Sequence, residues 1–443
     1  MRTTTGRLAL LLTMGVALAL APKAVRAQDA DTKTAPTGAR AQDADIRQAP
    51  LLVRAQDADT DAPSDPEIPL PIGHQHMEKG GFYAAGEFLF FRQTDPLKNQ
   101  VIAVRGLLDF DGSITADLNG TLVNPNTGTP VIIPGQAKPG TFIGSMATAL
   151  SAQDVGPSSY EPGWRLTLGW KFASGIALDF SWMSLVENKY AAVATLVPPS
   201  LNPGPILADS FLFSPVYNFP NDFAGPPNKL AIGNPNAAYG IWNAASVMSI
   251  QFVQRFTEYD INSRIPIFET DYCRTYGLLG FRHVDMWENF SWRTVAEDFN
   301  GQADQTDVAI YNNIVSNQMY GPTIGFGTEM YLSHGFSISA DLREATMIDF
   351  VREIAKYYRA DFVTQSKRSK KDYTIVPELD GQFNVWWYPA SGIQVRVGYD
   401  LMTFFNTISS PDPVSFNYGG LDPQYKSTFR YFDGFQAGIG FIF

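Results

Sequence analysis

GWRLTLGWKFASGIALDFSWM, residues Gly163 to Met183, alternates bulky apolar residues with polar or small ones in two runs. In the first run Trp164, Leu166, Leu168, Trp170 and Phe172 share one side of an extended chain; Arg165, Thr167, Gly169, Lys171 and Ala173 share the other. After Ser174-Gly175, Ile176, Leu178, Phe180 and Trp182 alternate with Ala177, Asp179 and Ser181. Successive side chains of a strand point to opposite faces, so a period of two predicts strands. A short glycine-bearing turn between two such runs predicts a hairpin.

The unit recurs. Ile324, Phe326, Met330 and Leu332 alternate with Thr323, Gly325, Gly327 and Glu329 before a turn at Ser333-His334-Gly335; Phe336, Ile338, Ala340 and Leu342 then oppose Ser337, Ser339, Asp341 and Arg343. Leu379, Phe383, Val385 and Trp387 alternate with Glu378, Asp380, Gln382 and Asn384. Beyond Pro389 to Gly392, Ile393, Val395, Val397, Tyr399 and Leu401 oppose Gln394, Arg396, Gly398 and Asp400. Ten strands are expected, near 81–92, 161–173, 176–189, 247–262, 272–287, 317–332, 336–349, 374–388, 393–406 and 432–443. The connections between them alternate long and short. A soluble sandwich has no reason to keep that rhythm, whereas a transmembrane barrel with short periplasmic turns and long outer loops does. The last strand agrees: Phe435, Ala437, Ile439, Phe441 and the terminal Phe443 form one face. Closing the sheet removes the aggregation-prone edge such a strand would otherwise expose.

The rest of the chain fits export to an outer membrane. Arg2 and Arg7 precede an apolar run from Leu8 to Ala21, and Val25-Arg26-Ala27 predicts signal cleavage before Gln28. Residues 28–79 repeat Arg-Ala-Gln-Asp-Ala-Asp from Arg26, Arg40 and Arg54 and end rich in proline. With little apolar surface to offset ordering entropy, this stretch is expected to be a disordered linker, and the barrel to occupy 80–443. Charged residues are 17% of the chain, below the quarter or so usual in soluble domains. The formal charge of −11, without a basic stripe, argues against nucleic acid. Cys273 is alone, which excludes an intrachain disulfide.

Two places are untidy. Met248, Ile250 and Phe252 suggest one phase and Tyr259 and Ile261 the other, so a β-bulge is expected near Thr257. Cys273 to Trp287 has no clean phase, and residues 101–150 have room for another hairpin, which would make twelve strands.

Several segments resemble a pore-forming family typified by the Legionella major outer membrane protein. Gly81-Phe-Tyr-Ala-Ala-Gly-Glu-Phe-Leu-Phe-Phe is similar to its opening strand, and Tyr259-Asp-Ile-Asn with Tyr276-Gly-Leu-Leu-Gly-Phe-Arg-His-Val to its central hairpin. Tyr320-Gly-Pro-Thr-Ile-Gly-Phe-Gly resembles the strand that follows, and the aromatic-ended last strand matches too. Planctomycete barrel porins are similar in carrying a long linker after the signal. The resemblance spans roughly 80–443 and implies a porin-like role without locating a ligand site. The terminal Phe443 resembles the signal by which barrel assembly machinery recognises its clients.

The polar strand faces predict the lumen lining: Arg165, Lys171, Asp179, Glu329, Asp341, Arg343, Glu378, Asp380, Arg396 and Asp400. In a pore these charges tune ion selectivity; in a narrow barrel they pair and fill it. Passive passage of small hydrophilic solutes or ions is the expected activity, the alternative being a closed structural barrel acting through long loops near 93–160 and 190–246. Phe211 to Pro227 is rich enough in Phe and Pro to fold into the mouth. Outer-membrane lipid is the expected surrounding partner, and an oligomer is compatible with the sequence. An enzyme of the omptin type would need an Asp–His couple; His283 and Asp285 stand two apart, and Asp109 and Asp111 lie in the first long loop. Two such residues recur by chance in strands, so neither enzyme nor cofactor is expected. His74 and His76 cannot complete a zinc site, and Asp109 to Asn119 lacks the glycine position and closing Glu of a calcium loop. Lys367-Arg368-Ser-Lys370-Lys371 is expected at a solvated loop tip within reach of anionic lipid. Trp164, Trp170, Trp182, Trp386, Trp387, Tyr388 and Tyr399 are expected as barrel aromatics, some at membrane interfaces.

Overall fold

The computed structural model describes residues 81–109, 140–195, 211–219, 240–270, 272–297, 302–332, 334–363, 365–390 and 392–443. The expected signal and linker, His74, His76 and Asp111 to Asn119 lie outside the described residues. In chain order the strands are β1 (Gly81–Gln93), β2 (Val101–Arg105), β3 (Leu107–Asp109), β4 (Thr141–Ile143), β5 (Thr148–Ser151), β6 (Tyr160–Lys171), β7 (Ala177–Leu185) and β8 (Asn188–Thr195). They continue with β9 (Leu212–Phe213), β10 (Val247–Glu269), β11 (Cys273–Val295), β12 (Val308–Tyr331), β13 (Phe336–Arg359), β14 (Gln365–Ala390), β15 (Ile393–Asp412) and β16 (Gln424–Ile442).

Eleven of these form one antiparallel sheet. It closes on itself, because β1 pairs with β6 on one side and β16 on the other, from Tyr83↔Ile442 to Gln93↔Phe432. Against β10, β7 covers Thr257 to Arg264 and β8 covers Val247 to Gln254, so these two short strands share one stave. The barrel therefore has ten staves. The described residues of 101–150 add no stave: β2 pairs with β5 and β9 in a small separate sheet, and β3 with β4 in another.

Alternation decides the two faces. Leu166, Leu168, Trp170, Phe180, Ile261, Phe281, Ile324, Phe326, Phe383, Val397 and Phe435 are exposed on the outside. A barrel wall with a continuous apolar outer band faces hydrocarbon, which leaves no backbone group unpaired. At the rim of the short turns, Phe443 N donates to Phe82 O at 2.9 Å and the two rings stack. Higher up, an outward aromatic row crosses six staves: Trp164 on Trp182 (4.2 Å between centroids), Trp182 on Tyr259 (6.1 Å), Tyr259 on His283 (5.8 Å), His283 on Tyr320 (4.2 Å) and Tyr320 on Phe350 (6.1 Å). Such a girdle marks the outer membrane–water interface.

Two glycines make room for tyrosines that lie across the ladder. A Cβ on Gly169 would stand 2.1 Å from the Tyr83 ring opposite it, and one on Gly327 2.4 Å from Tyr276.

Three expectations need correction. No bulge stands near Thr257, which pairs in unbroken register with Asp285 and Ser184; the irregularity lies at Pro266/Phe268. From Met248 to Arg264 the even-numbered residues of β10 face inward, but the media change. Above Phe256 the apolar Met248, Ile250 and Phe252 face a packed interior, while below it Tyr259 and Ile261 face lipid. The apolar face switches sides without the chain changing phase. Second, strands β10 to β14 run well beyond the girdle, and the connection at 360–364 is short where a long loop was expected. Third, Lys367 to Lys371 lie in β14 rather than in a loop. At that hairpin's outer tip, hydrogen bonds from Arg359 hold the Asp361 carboxyl below its ordinary range.

The outer mouth is filled. β2, β5, β9, a helical turn at Gly240–Asn243 and residues 414–421 pack inside the extended staves. Tyr418 stacks on Tyr357 (4.4 Å) and Tyr311 (5.9 Å), and Trp242 meets both Tyr418 (5.2 Å) and Trp292 (4.7 Å). Of the expected Phe211 to Pro227 mouth segment, residues 211–219 are described; Leu212 is fully buried in this cluster.

Candidate functional site

The lumen reads as a stack of layers. Along β11 the buried inward residues from the periplasmic side are Arg274, Tyr276 and Leu278, then Arg282, then Val284 and Met286, then Glu288, then Phe290 and Trp292. Along β10 the matching order is Asp260 and Glu258, Phe256, Gln254, then Phe252 and Ile250. Charge, apolar plug, charge and apolar cap follow one another.

The lower layer is built around Arg282, whose side chain is 1% exposed. It donates from Nε to Asp260 Oδ1 and from Nη2 to Asp260 Oδ2, both at 2.7 Å, and from Nη2 to Asp380 at 3.0 Å. Nη1 bonds Glu378, and Glu258 lies 3.6 Å from Nη2. Arg343 joins the same carboxylates, 3.3 Å from Asp260 and 3.4 Å from Asp380. Around the ring Arg165 reaches Asp400 at 3.1 Å, Glu87 at 3.5 Å and Gln436 at 2.8 Å, while Arg396 pairs with Glu87. Arg264 meets Asp179 at 3.3 Å and Asp341 at 4.0 Å, and the Tyr83 and Tyr276 hydroxyls donate to those two carboxylates. Glu329 accepts from Ser337 and from the Tyr388 hydroxyl at 3.3 Å.

Water-accessible space runs through this layer. A cavity with about 40 Å³ of room for water is lined by Tyr83, Glu87, Asp179, Arg264, Trp386 and Arg396 among others. A second, also with about 40 Å³ of room for water, is lined by Arg165, Glu258, Asp260, Arg343 and Gln382. Both are bounded by Thr167, Asp179, Arg264 and Arg396, so they adjoin.

Above them the lumen is closed. Leu89, Phe91, Met183, Leu185, Phe256, Val284, Met286, Met319, Ala345, Met347, Val376, Met402, Phe404 and Phe432 form one buried apolar cluster drawn from nine of the ten staves. Over it Arg430 holds Glu288 with two bonds, at 2.6 and 2.8 Å, and Gln254 donates to Glu288 at 2.9 Å.

All ten residues expected at the lumen lie on the interior side, with Lys171 and Arg343 half-buried and the others buried. Nine of the ten join or flank the pairs just described, and Lys171 sits near the periplasmic end of β6. Sequence reading missed Glu87, Glu258, Asp260, Arg264 and Arg282. Glu258, Asp260 and Arg282 fall where the strand phase looked broken, and Arg264 lies beyond 262, where a short turn was expected and β10 instead runs on to Glu269; carrying the parity of Asn262 unchanged through Thr257 would have placed Asp260 and Glu258. His283 and Asp285 stand on the outer face, with His283 between the Tyr259 and Tyr320 rings and its Nδ1 3.0 Å from Met319 O. Trp386 and Tyr388 turn inward, while Trp170, Trp182, Trp387 and Tyr399 are exposed outside. Among the described residues no cluster of His, Cys, Asp or Glu has the arrangement of a metal site.

A family model described as Legionella pneumophila major outer membrane protein precursor matches residues 141–442. The chain belongs to this family. As a member of the major outer membrane protein family it is a protein of the bacterial outer membrane. No curated protein matches it. Among solved structures, the outer membrane protease OmpT of Escherichia coli covers 82% of this chain and 97% of its own at 9% identity and TM-score 0.38. A mutant of the monoaromatic hydrocarbon channel TodX covers 83% and 91% at 6% identity and TM-score 0.19. A Pseudomonas aeruginosa FadL homologue covers 82% and 90% at 6% identity and TM-score 0.20. Identity this low transfers no residue role.

Proposed function

We propose that this family member is a gated pore for small hydrophilic solutes or ions, with a preference for cations. The observation that carries the reading is the charged, cavity-bearing lower lumen. Six guanidiniums (Arg165, Arg264, Arg274, Arg282, Arg343, Arg396) and Lys171 face nine carboxylates (Glu87, Asp179, Glu258, Asp260, Glu329, Asp341, Glu378, Asp380, Asp400) there. A barrel that needed only to be stable would gain by packing apolar groups in that space, since buried ion pairs often contribute less than hydrophobic replacements. Charges of both signs with a carboxylate excess suit a hydrated cation path. Apolar constrictions of the kind formed by Phe256, Met347 and their neighbours gate by excluding water.

The test is conductance of the refolded full-length protein in a planar bilayer, with folding checked by heat-modifiable migration. Met347→Ser and Phe256→Ser admit water to the apolar layer and are expected to raise the open probability severalfold over the parent. Discrete cation-selective steps support the pore. A second reading, a closed barrel that acts through its ordered outer cap, is favoured by the Tyr418–Trp242 cluster filling the mouth. Variants that fold yet stay silent would sink the pore and leave the cap as the active part.

A further inference from the structure

Beyond the girdle, the outward face of the β13–β14 hairpin carries an arrangement that conduction does not use. Arg352 pairs directly across the ladder with Lys371, and Lys356 with Lys367. Opposite residues of an antiparallel pair stand about 5 Å apart at Cα, and like charges so placed repel. Their inward neighbours are compensated: Arg368 meets Asp422 at 3.2 Å, and Lys370 meets Asp372 at 3.0 Å and Glu353 at 3.9 Å. Among the described residues no carboxylate pairs with Arg352, Lys356, Lys367 or Lys371, although Lys356 lies over the Tyr358 ring at 5.4 Å. The same face, one step toward the membrane, is apolar. Phe350 is 56% exposed and Tyr373 78%, with Ile348 and Ile375 exposed below them. Each is two residues from its cation, so Arg352 and Lys371 sit about 7 Å farther out than the last large apolar group of their strands.

We propose that this face binds the phosphate of an anionic outer-leaflet lipid, its acyl chains lying against Ile348, Phe350, Tyr373 and Ile375. An apolar band topped by paired cations matches an amphiphile with a phosphate at the interface. The guanidinium of Arg352 takes two phosphate oxygens side by side and Lys371 supplies a second charge. Lys356 and Lys367, a turn of the ladder farther out, face anionic groups more distal on the same headgroup. The occupant relieves the cross-strand repulsion, which explains why no acidic residue has to.

The full-length protein is refolded into phosphatidylcholine vesicles containing a minor fraction of phosphatidic acid, extracted in mild detergent, and its retained lipid is quantified. Parent protein is expected to retain roughly thirtyfold more phosphatidic acid than Arg352→Gln/Lys371→Gln, as two interfacial cations supply about that ratio. Phosphatidylcholine retention should not change. Arg293→Gln/Lys98→Gln, which removes two exposed cations elsewhere, is expected to retain phosphatidic acid like the parent. Equal loss in both double variants, or none in either, would overturn the site. Displacement by inorganic phosphate at modest concentration would show a bare anion site and overturn the lipid. Heat-modifiable migration separates misfolding from lost binding, and conductance is read independently, so failure here leaves the pore untouched.

Discussion

Arg282 is the residue whose removal most directly tests the account of the lower lumen. Arg282→Met keeps the length of the side chain and deletes the guanidinium. Four hydrogen bonds go with it: two to Asp260 at 2.7 Å, one to Asp380 at 3.0 Å and one to Glu378. Charge-assisted bonds contribute about 1.5–3 kcal/mol each in net terms, so four would sum to roughly 6–12 kcal/mol if they were additive. Bonds that share one guanidinium and two of the same carboxylate's oxygens are not additive, so the sum is an upper bound. Removing one member of a buried ion pair costs about 3–5 kcal/mol, and that figure sets the expectation. Arg343 stays within 3.4 Å of Asp260 and Asp380 and keeps the loss from growing further. The assay is urea unfolding in lipid vesicles, followed by tryptophan fluorescence and by heat-modifiable migration. Arg282→Met is expected to lower stability by about 3–5 kcal/mol, and adding Asp260→Asn and Glu378→Gln should return part of it by removing the stranded charges. A loss below about 1 kcal/mol, or strictly additive effects in the triple variant, would refute the idea that one guanidinium neutralises this layer.

Further outcomes follow from single contacts. Gly169→Ala places a Cβ 2.1 Å from the Tyr83 ring; the overpacking should destabilise by about 1–3 kcal/mol in the same urea assay, and Tyr83→Ala should cancel most of it. Lys171→Glu adds a carboxylate near the periplasmic entrance and should move the reversal potential of the channel toward greater cation selectivity; an unchanged potential would place the ion path elsewhere. Phe443→Ser removes the ring stacked on Phe82. If assembly machinery reads the terminal strand, this variant should insert poorly in cells yet refold normally in vesicles, whereas equal loss in both settings would make Phe443 a structural residue alone.

Within the hydrocarbon layer the sequence alone determined a great deal. Lipid acts on every outward side chain in the same way, so Leu166, Leu168 and Trp170, or Phe383 and Val385, declare their face by local alternation without reference to any other strand. The parity of those runs placed Arg165, Asp179, Glu378, Asp380 and Asp400 inside, and the short turns at Ser174 and Gly335 separated the staves. Above the girdle the same logic failed for a physical reason. There the outside is water and the inside is a packed cap, so Met248, Ile250 and Phe252 on β10, and Phe290 and Trp292 on β11, are apolar on the opposite side from Ile261 and Phe281. Local pattern cannot distinguish that exchange of media from a bulge. Only the tertiary structure decided which interior groups meet. Arg282 finds Glu378 and Asp380 nearly a hundred residues away, and the apolar plug brings Phe256 of β10 within 4.4 Å of Phe432 and 6.3 Å of Phe404 (ring centroids) across the closed ring. Such contacts depend on closure and on the stagger of the staves, which are set by the whole barrel and leave no trace within any one strand.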